Sequence, residues 1–131
     1  MYKRTLVTAI LAAAFSVPSL ADINADLQNI CTIVKNNDKS ELRKKMKKVR
    51  DDYNLKLGDV YEGISCEGLS LIRYAMLNSA DDAGEYMVKS MSRSDLQKTE
   101  KDGSTVEQWA EANGHLKSAT GLALVDRLNA N

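Results

Sequence analysis

The chain has 131 residues, 18 Lys and Arg against 18 Asp and Glu, and one histidine. That length holds at most one domain, and a formal net charge of zero offers no global basicity for nucleic acid. A metal site needs several converging His, Cys or carboxylate ligands, and there is no second histidine; no Walker loop, GxGxxG or CxxC occurs either.

Lys3 and Arg4 form a short basic segment, Thr5 to Val17 is mostly apolar, and "PSLA" follows with small residues at Ser19 and Ala21. This order is that of a cleaved secretory signal spanning residues 1–21. The apolar run is too short, and too soon broken by Pro18, for a membrane span. The alternative is a buried N-terminal helix. No cysteine adjoins the cut, so a lipid anchor is not expected. The mature chain would start at Asp22, with 16 basic against 18 acidic residues, and would be periplasmic or secreted. Cys31 and Cys66 fit that compartment as a disulfide. A bridge would close a loop of about 36 residues and contribute roughly 3–4 kcal/mol. Two buried thiols, or one reactive thiol, are the alternatives.

Helical spacing dominates the rest. A first helix is expected from Asn24 to Lys35, with Leu27, Ile30, Ile33 and Val34 on one face and "NND" at its end. A second starts at Asp38, which makes an Asp-x-x-Glu capping pair with Glu41. Its apolar stripe is Leu42, Met46, Val49 and Tyr53. Its other face, within "KSELRKKMKKVR", crowds Lys39, Arg43, Lys44, Lys45, Lys47, Lys48 and Arg50. One reading is a solvated face. The other is a surface for lipid head groups, a polyanion or an acidic protein, with Arg43, Lys44, Lys45, Lys47 and Lys48 as candidate anion-binding residues. No aromatic residues interleave with these lysines, so nucleic-acid stacking is not expected.

"NLKLGDVYEGISCEG" reads as the longest non-helical stretch. A third helix from about Ser70 carries Leu71, Ile72, Ala75 and Met76. "NSADD" ends it, and Asp82 with Glu85 suggests a capping pair for a fourth, presenting Tyr86, Met87, Val88 and Met91. "SRSDLQKTEKDG" reads as a connector. A fifth helix is expected from Ser104 or Thr105 to Ala112, with Val106, Trp109 and Ala110 inward. After "NGH", a sixth from Leu116 to Leu128 would carry Leu116, Ala119, Leu122, Ala123 and Val125. The fold class is thus all-α: three short helix pairs, none stable alone, that must stack.

"CEGLSLIRYA" (66–75) aligns with "KDGSTVEQWA" (101–110) at an offset of 35 residues. Gly68 matches Gly103, Ser70 Thr105, Leu71 Val106, Tyr74 Trp109 and Ala75 Ala110. Self-similarity near this period signals a stacked helical repeat. The pattern Gly-x-Ser/Thr-apolar-x-x-aromatic-Ala resembles the ankyrin signature, in which a glycine turn precedes T-P-L-H-x-A. Val106 replaces the proline, and Gln108 or Arg73 the histidine. The resemblance covers roughly Gly58 to Leu128 and implies a degenerate ankyrin-like stack: a cap helix pair at 22–57 and repeat-like units at 58–92 and 93–131. It also implies a binding surface on the side of turn tips and first helices, where Glu67, Leu69, Arg73, Ser104, Glu107 and Gln108 are the candidate partner-binding residues. The whole chain is similar to small exported proteins of marine gammaproteobacteria, which implies a compartment and a size.

Catalytic groups are not prominent. His115 has Ser118 nearby but no nucleophile motif around it, and reads as the residue opening the second helix of a pair. Paired carboxylates such as Glu107 with Glu111 read as caps or exposed faces, and "DDAGE" lacks the spacing of a calcium loop. The expectation is a non-catalytic module, without metal or cofactor, that binds a protein partner in the cell envelope. The second expectation is contact with an anionic envelope component through the helix at 39–50.

Overall fold

The computed structural model describes residues 20–130. The proposed signal, residues 1–21, lies almost wholly outside them. Helices run α1 Leu20–Asp26, α2 Ile30–Lys35, α3 Lys39–Tyr53, α4 Leu57–Val60, α5 Leu71–Leu77, α6 Asp81–Ser90, α7 Arg93–Leu96, α8 Val106–Ala112 and α9 Ala119–Asn129, with a 3-10 turn at Tyr61–Gly63. The described residues contain no strand, only an isolated bridge between Cys66 and Leu69. No helix among them is long and apolar enough to cross a membrane.

Local chemistry sets most of these boundaries. Asp38 caps α3 by accepting the Glu41 N–H at 3.1 Å, as its spacing predicts. Leu42, Met46 and Val49 are buried along that helix. Thr105 and Gln108 form a reciprocal capping box at α8, each side chain accepting the other's backbone N–H.

Several expected boundaries differ. The first helix is two, because Asn29 sits at φ 69° and a left-handed residue interrupts the helical ladder. The glycine-rich stretch holds α4, where the Asp59 carboxylate accepts the Lys56 N–H at 2.8 Å. The connector after α6 holds α7, capped by Ser92 on the Asp95 N–H at 3.0 Å. The last helix starts at Ala119, not Leu116: the Ser118 hydroxyl accepts the Gly121 N–H at 3.0 Å, defining the later start. His115 therefore precedes a turn instead of opening a helix. Leu122 is 57% exposed, because α9 turns Thr120, Gly121 and Leu124 inward. Asp82 and Glu85 do not cap α6. Asn37 does so from the turn between α2 and α3: its Oδ1 accepts the Ala83 N–H at 2.9 Å, and its Nδ2 donates to Asp82.

Three helices end in one hydrogen-bond frame. At the end of α2, Asn37 N–H reaches Val34 O and Asp38 N–H reaches Ile33 O. At α5, Ser79 reaches Met76 and Ala80 reaches Ala75; at α8, Gly114 reaches Glu111 and His115 reaches Ala110. Asn37, Ser79 and Gly114 occupy the left-handed position, with φ of 56°, 53° and 77°. This is the Schellman ending, which satisfies carbonyls that the helix leaves open. Between α5 and α8 the match extends upstream. Gly68 and Gly103 both have φ 83°, and the Asn78 and Asn113 side chains each donate to the carbonyl four residues back at 2.8 Å.

The helices pack into one core. α2 lies against α3 and α5, α5 against α6 and α8, α6 against α3 and α9, and α8 against α9. Leu42, Leu71, Ile72, Met87, Met91 and Leu124 are fully enclosed. At the α6–α9 crossing a Cβ on Gly84 would stand 2.0 Å from Thr120 Oγ1, so only glycine permits this approach. Tyr53 of α3 ties down α1 by donating to the Asp26 carboxylate at 2.5 Å. That bond pushes the Tyr53 phenol up to about 12.

Cys31 and Cys66 are bonded. The bridge ties α2 to the turn that precedes α5, where Cys66 and Leu69 exchange backbone hydrogen bonds of 2.7 and 2.9 Å.

Candidate functional site

A cleft of about 500 Å³ opens between the segment 58–70 and the segment 95–102. Its volume falls in the range of ligand pockets, roughly 300–1,000 Å³. Ile64 and Leu69 line the first wall; Lys98, Glu100 and Asp102 line the second; Tyr61, Arg73 and Trp109 also face it.

Arg73 is the centre of this region. Burial of Leu71, Ile72 and Tyr74 to Met76 on α5 carries Arg73 inward too, and its side chain is 6% exposed. A charge buried to this degree needs partners, and the second wall supplies them. Arg73 makes a bidentate pair with Asp102, NH1 to Oδ2 at 2.7 Å and NH2 to Oδ1 at 3.0 Å. NH2 also donates to the Ser104 carbonyl at 3.2 Å and hydroxyl at 3.1 Å. Nε lies 2.6 Å from Glu100 Oε1, an ion pair whose N–H points off the oxygen. The guanidinium carbon stands 5.5 Å from the Trp109 ring centroid, within cation–π range. His115 also stacks on Trp109, with centroids 5.3 Å apart and a 15° interplanar angle.

The electrostatics follow from these contacts. Hydrogen bonds from Arg73, and then from Ser104, hold the Asp102 carboxyl well below the usual carboxylate range. Burial alone would lower the Arg73 pKa, but the Asp102 bonds and the Glu100 charge raise it on balance. The Tyr61 hydroxyl contacts Ser70 Oγ and Glu100 Oε2 and accepts the Ile72 N–H. Burial, with Glu100 beside it, pushes its pKa far up, so it stays a neutral donor. The cluster can hold a shape and present an apolar wall. It has no nucleophile set beside a free base, as covalent catalysis needs.

The candidate partner-binding residues separate in space. Leu69 and Arg73 line the cleft; Glu67, Ser104, Glu107 and Gln108 do not. Arg73 is buried and engaged instead of presented to solvent. Glu67 accepts from the Tyr74 hydroxyl at 2.7 Å, Ser104 serves the Arg73–Asp102 pair, and Gln108 serves the α8 cap. Sequence reasoning missed Tyr61, Glu100 and Asp102. Their signal was weak: Glu100 and Asp102 flank a lysine in a polar connector, and only the buried arginine gives them a role.

The basic helix is largely matched by its own neighbours. Lys44 pairs with Glu41 at 3.5 Å, Lys47 with Asp51 at 2.7 Å and Lys48 with Asp52 at 2.6 Å. Lys45 donates to the Asp26 carbonyl at 2.7 Å, and Arg43 is exposed. Among the described residues no group of three or more His, Cys, Asp and Glu is arranged to hold a metal ion.

No curated protein and no solved structure matches this chain. A family described as "Protein of unknown function (DUF3718)" matches residues 30–98. That span takes in α2 to α7, both cysteines, Arg73 and the first wall of the cleft. Glu100 and Asp102 lie just beyond it. With more than half of its length matched, the chain belongs to the DUF3718 family.

Proposed function

We propose that this chain is an exported, non-catalytic module that binds a segment of a protein partner in the cleft between its two turns. The observation that carries the reading is the cleft itself, about 500 Å³, walled on one side by apolar Ile64 and Leu69. An ankyrin-like architecture accounts for its position. In that architecture α2, α5 and α8 form an inner row and α3, α6 and α9 an outer row, with the turns projecting at one edge. Supporting this are the contacts along each row and the shared ending of α2, α5 and α8. Such stacks use their turn tips and inner helices as extended binding surfaces.

The test is capture from an envelope fraction by the oxidised mature chain, with Leu69→Asp as the probe substitution. Leu69 is half-buried at the cleft wall, so a carboxylate there should weaken capture at least tenfold while the helical signal is kept. Capture that ignores Leu69→Asp sinks the cleft as the binding face. Export is tested separately, by an N-terminus at Asp22 in protein recovered from its native host. The basic helix remains the alternative surface, for an anionic envelope component. Its intrahelical pairs weaken it, and salt-insensitive behaviour on anionic vesicles would remove it.

A further inference from the structure

We infer that residues 97–104 form a strap over the cleft that opens and closes as a unit, latched by Arg73, while the facing wall stays fixed. The inference concerns regulation of the cleft and rests on its being the binding face.

The two walls are anchored differently. In the facing wall, Tyr61 is 7% and Cys66 2% exposed, and Cys66 is joined covalently to α2. The strap runs between two buried anchors, Leu96 and Val106. Between them no residue is buried. Gln97 and Lys98 hinge it to α7 through backbone bonds to Arg93 O and Asp95 O, and beyond them its backbone bonds close on itself: Glu100 N–H to Ser104 O at 2.8 Å, and Gly103 N–H to Glu100 O at 2.9 Å. It therefore keeps its shape when it moves. Its side-chain links to the body run to Arg73 and Tyr61, with an exposed ion pair from Lys98 to Asp95 at 3.4 Å at its near end. Asp102, which takes two Arg73 bonds, has a side chain 50% exposed, so water can compete for that contact. Segments with few buried contacts and solvent-reachable bonds open at low free-energy cost. Opening would uncover Arg73 and the Trp109 ring to an incoming chain, and closing would clamp it.

Relaxation-dispersion NMR on the oxidised full-length mature chain tests this, since it reads microsecond-to-millisecond exchange. The expected result is dispersion at the amides of 98–104 and flat profiles at 62–69. Asp102→Asn should raise the open population about threefold, with the 62–69 profiles unchanged. Ser104→Ala, which removes one Arg73 partner, should act in the same direction and serves if Asp102→Asn fails to fold. Flat profiles in both walls, or equal dispersion in both, overturn the strap. Dispersion confined to 98–104 but unmoved by either variant overturns Arg73 as the latch. Failed envelope capture with strap dispersion present would sink only the binding reading; flat strap profiles with successful capture would sink only this one.

Discussion

Residues 68–80 and 103–115 share one backbone frame and differ in what covers them. Each starts at a glycine with φ 83° and ends in the same left-handed turn. Yet α5 buries six consecutive residues, Leu71 to Met76, whereas α8 buries only Val106 and Ala110. The substitutions at the 35-residue offset match that difference. Ile72 becomes Glu107, Arg73 becomes Gln108 and Met76 becomes Glu111. α5 is buried and packs against both α2 and α8, whereas α8 keeps a polar face outward. Aligning the helix endings places Cys31 of α2 at the same position as Arg73 and Gln108. At the first junction that position holds the following turn by a covalent bond, at the second by ion pairs. At the third, Gln108 bonds within its own helix cap.

The sharpest way to break this comparison is to remove the junction residues. Replacing both Cys31 and Cys66 by serine should lower stability by roughly 3–4 kcal/mol from the loop closed by the bridge. A loss below about 1 kcal/mol would show that noncovalent packing alone holds the first junction. Arg73→Met removes the charged hydrogen bonds to Asp102 and Ser104 and should cost about 1.5–3 kcal/mol. Gln108→Met, the same change at the equivalent position of α8, should cost under about 1 kcal/mol, the value of part of a cap. Equal losses in denaturant unfolding would end the distinction between the buried and the half-exposed helix.

Acid separates the two junctions more gently. The Asp102 pKa is depressed in the folded state, so its contribution is complete above the unfolded carboxylate value of about 3.9 and declines as pH falls through the folded value. The stability gap between the parent and Asp102→Asn should be constant from neutral pH to about 5, then shrink on further acidification. A gap that grows toward acid would reverse the assignment. The smallest effect concerns the left-handed turns. Ser79→Gly should stabilise by about 0.5–1 kcal/mol and Gly114→Ser destabilise by about as much, since only glycine adopts φ near 55–75° freely. If both changes shift the unfolding midpoint in the same direction, the shared frame is not what sets their energies.

Much of the fold was legible because its signals are local. Asp38 and Thr105 with Gln108 act within one helical turn, the α3 stripe of Leu42, Met46 and Val49 recurs at helical spacing, and the structure places them as their spacing implies. Errors arose where a distant residue decides. The α6 cap comes from Asn37, 46 positions before the amide it serves, so the nearer Asp82 and Glu85 misled. Asn29, which splits the first helix, resembles any polar residue on a helix face until its φ is known. The cleft was half legible. Leu69 and Arg73 were found because they fall at repeat positions, but the partners of Arg73 sit in a polar connector whose pattern carries no signature. A buried arginine is recognisable only once its helix is seen to be covered on both sides.

Trp109 is the sole tryptophan of the chain, with the imidazole of His115 stacked beside it and the Arg73 guanidinium within contact of its ring. Its emission therefore comes from one place, the floor beneath the moving wall. Excitation chosen to spare the tyrosines would report that floor without any added dye. A guest entering from the open side, or withdrawal of the arginine, would change the colour and yield of that single indole. The molecule thus carries its own optical gauge at the spot where its behaviour is decided.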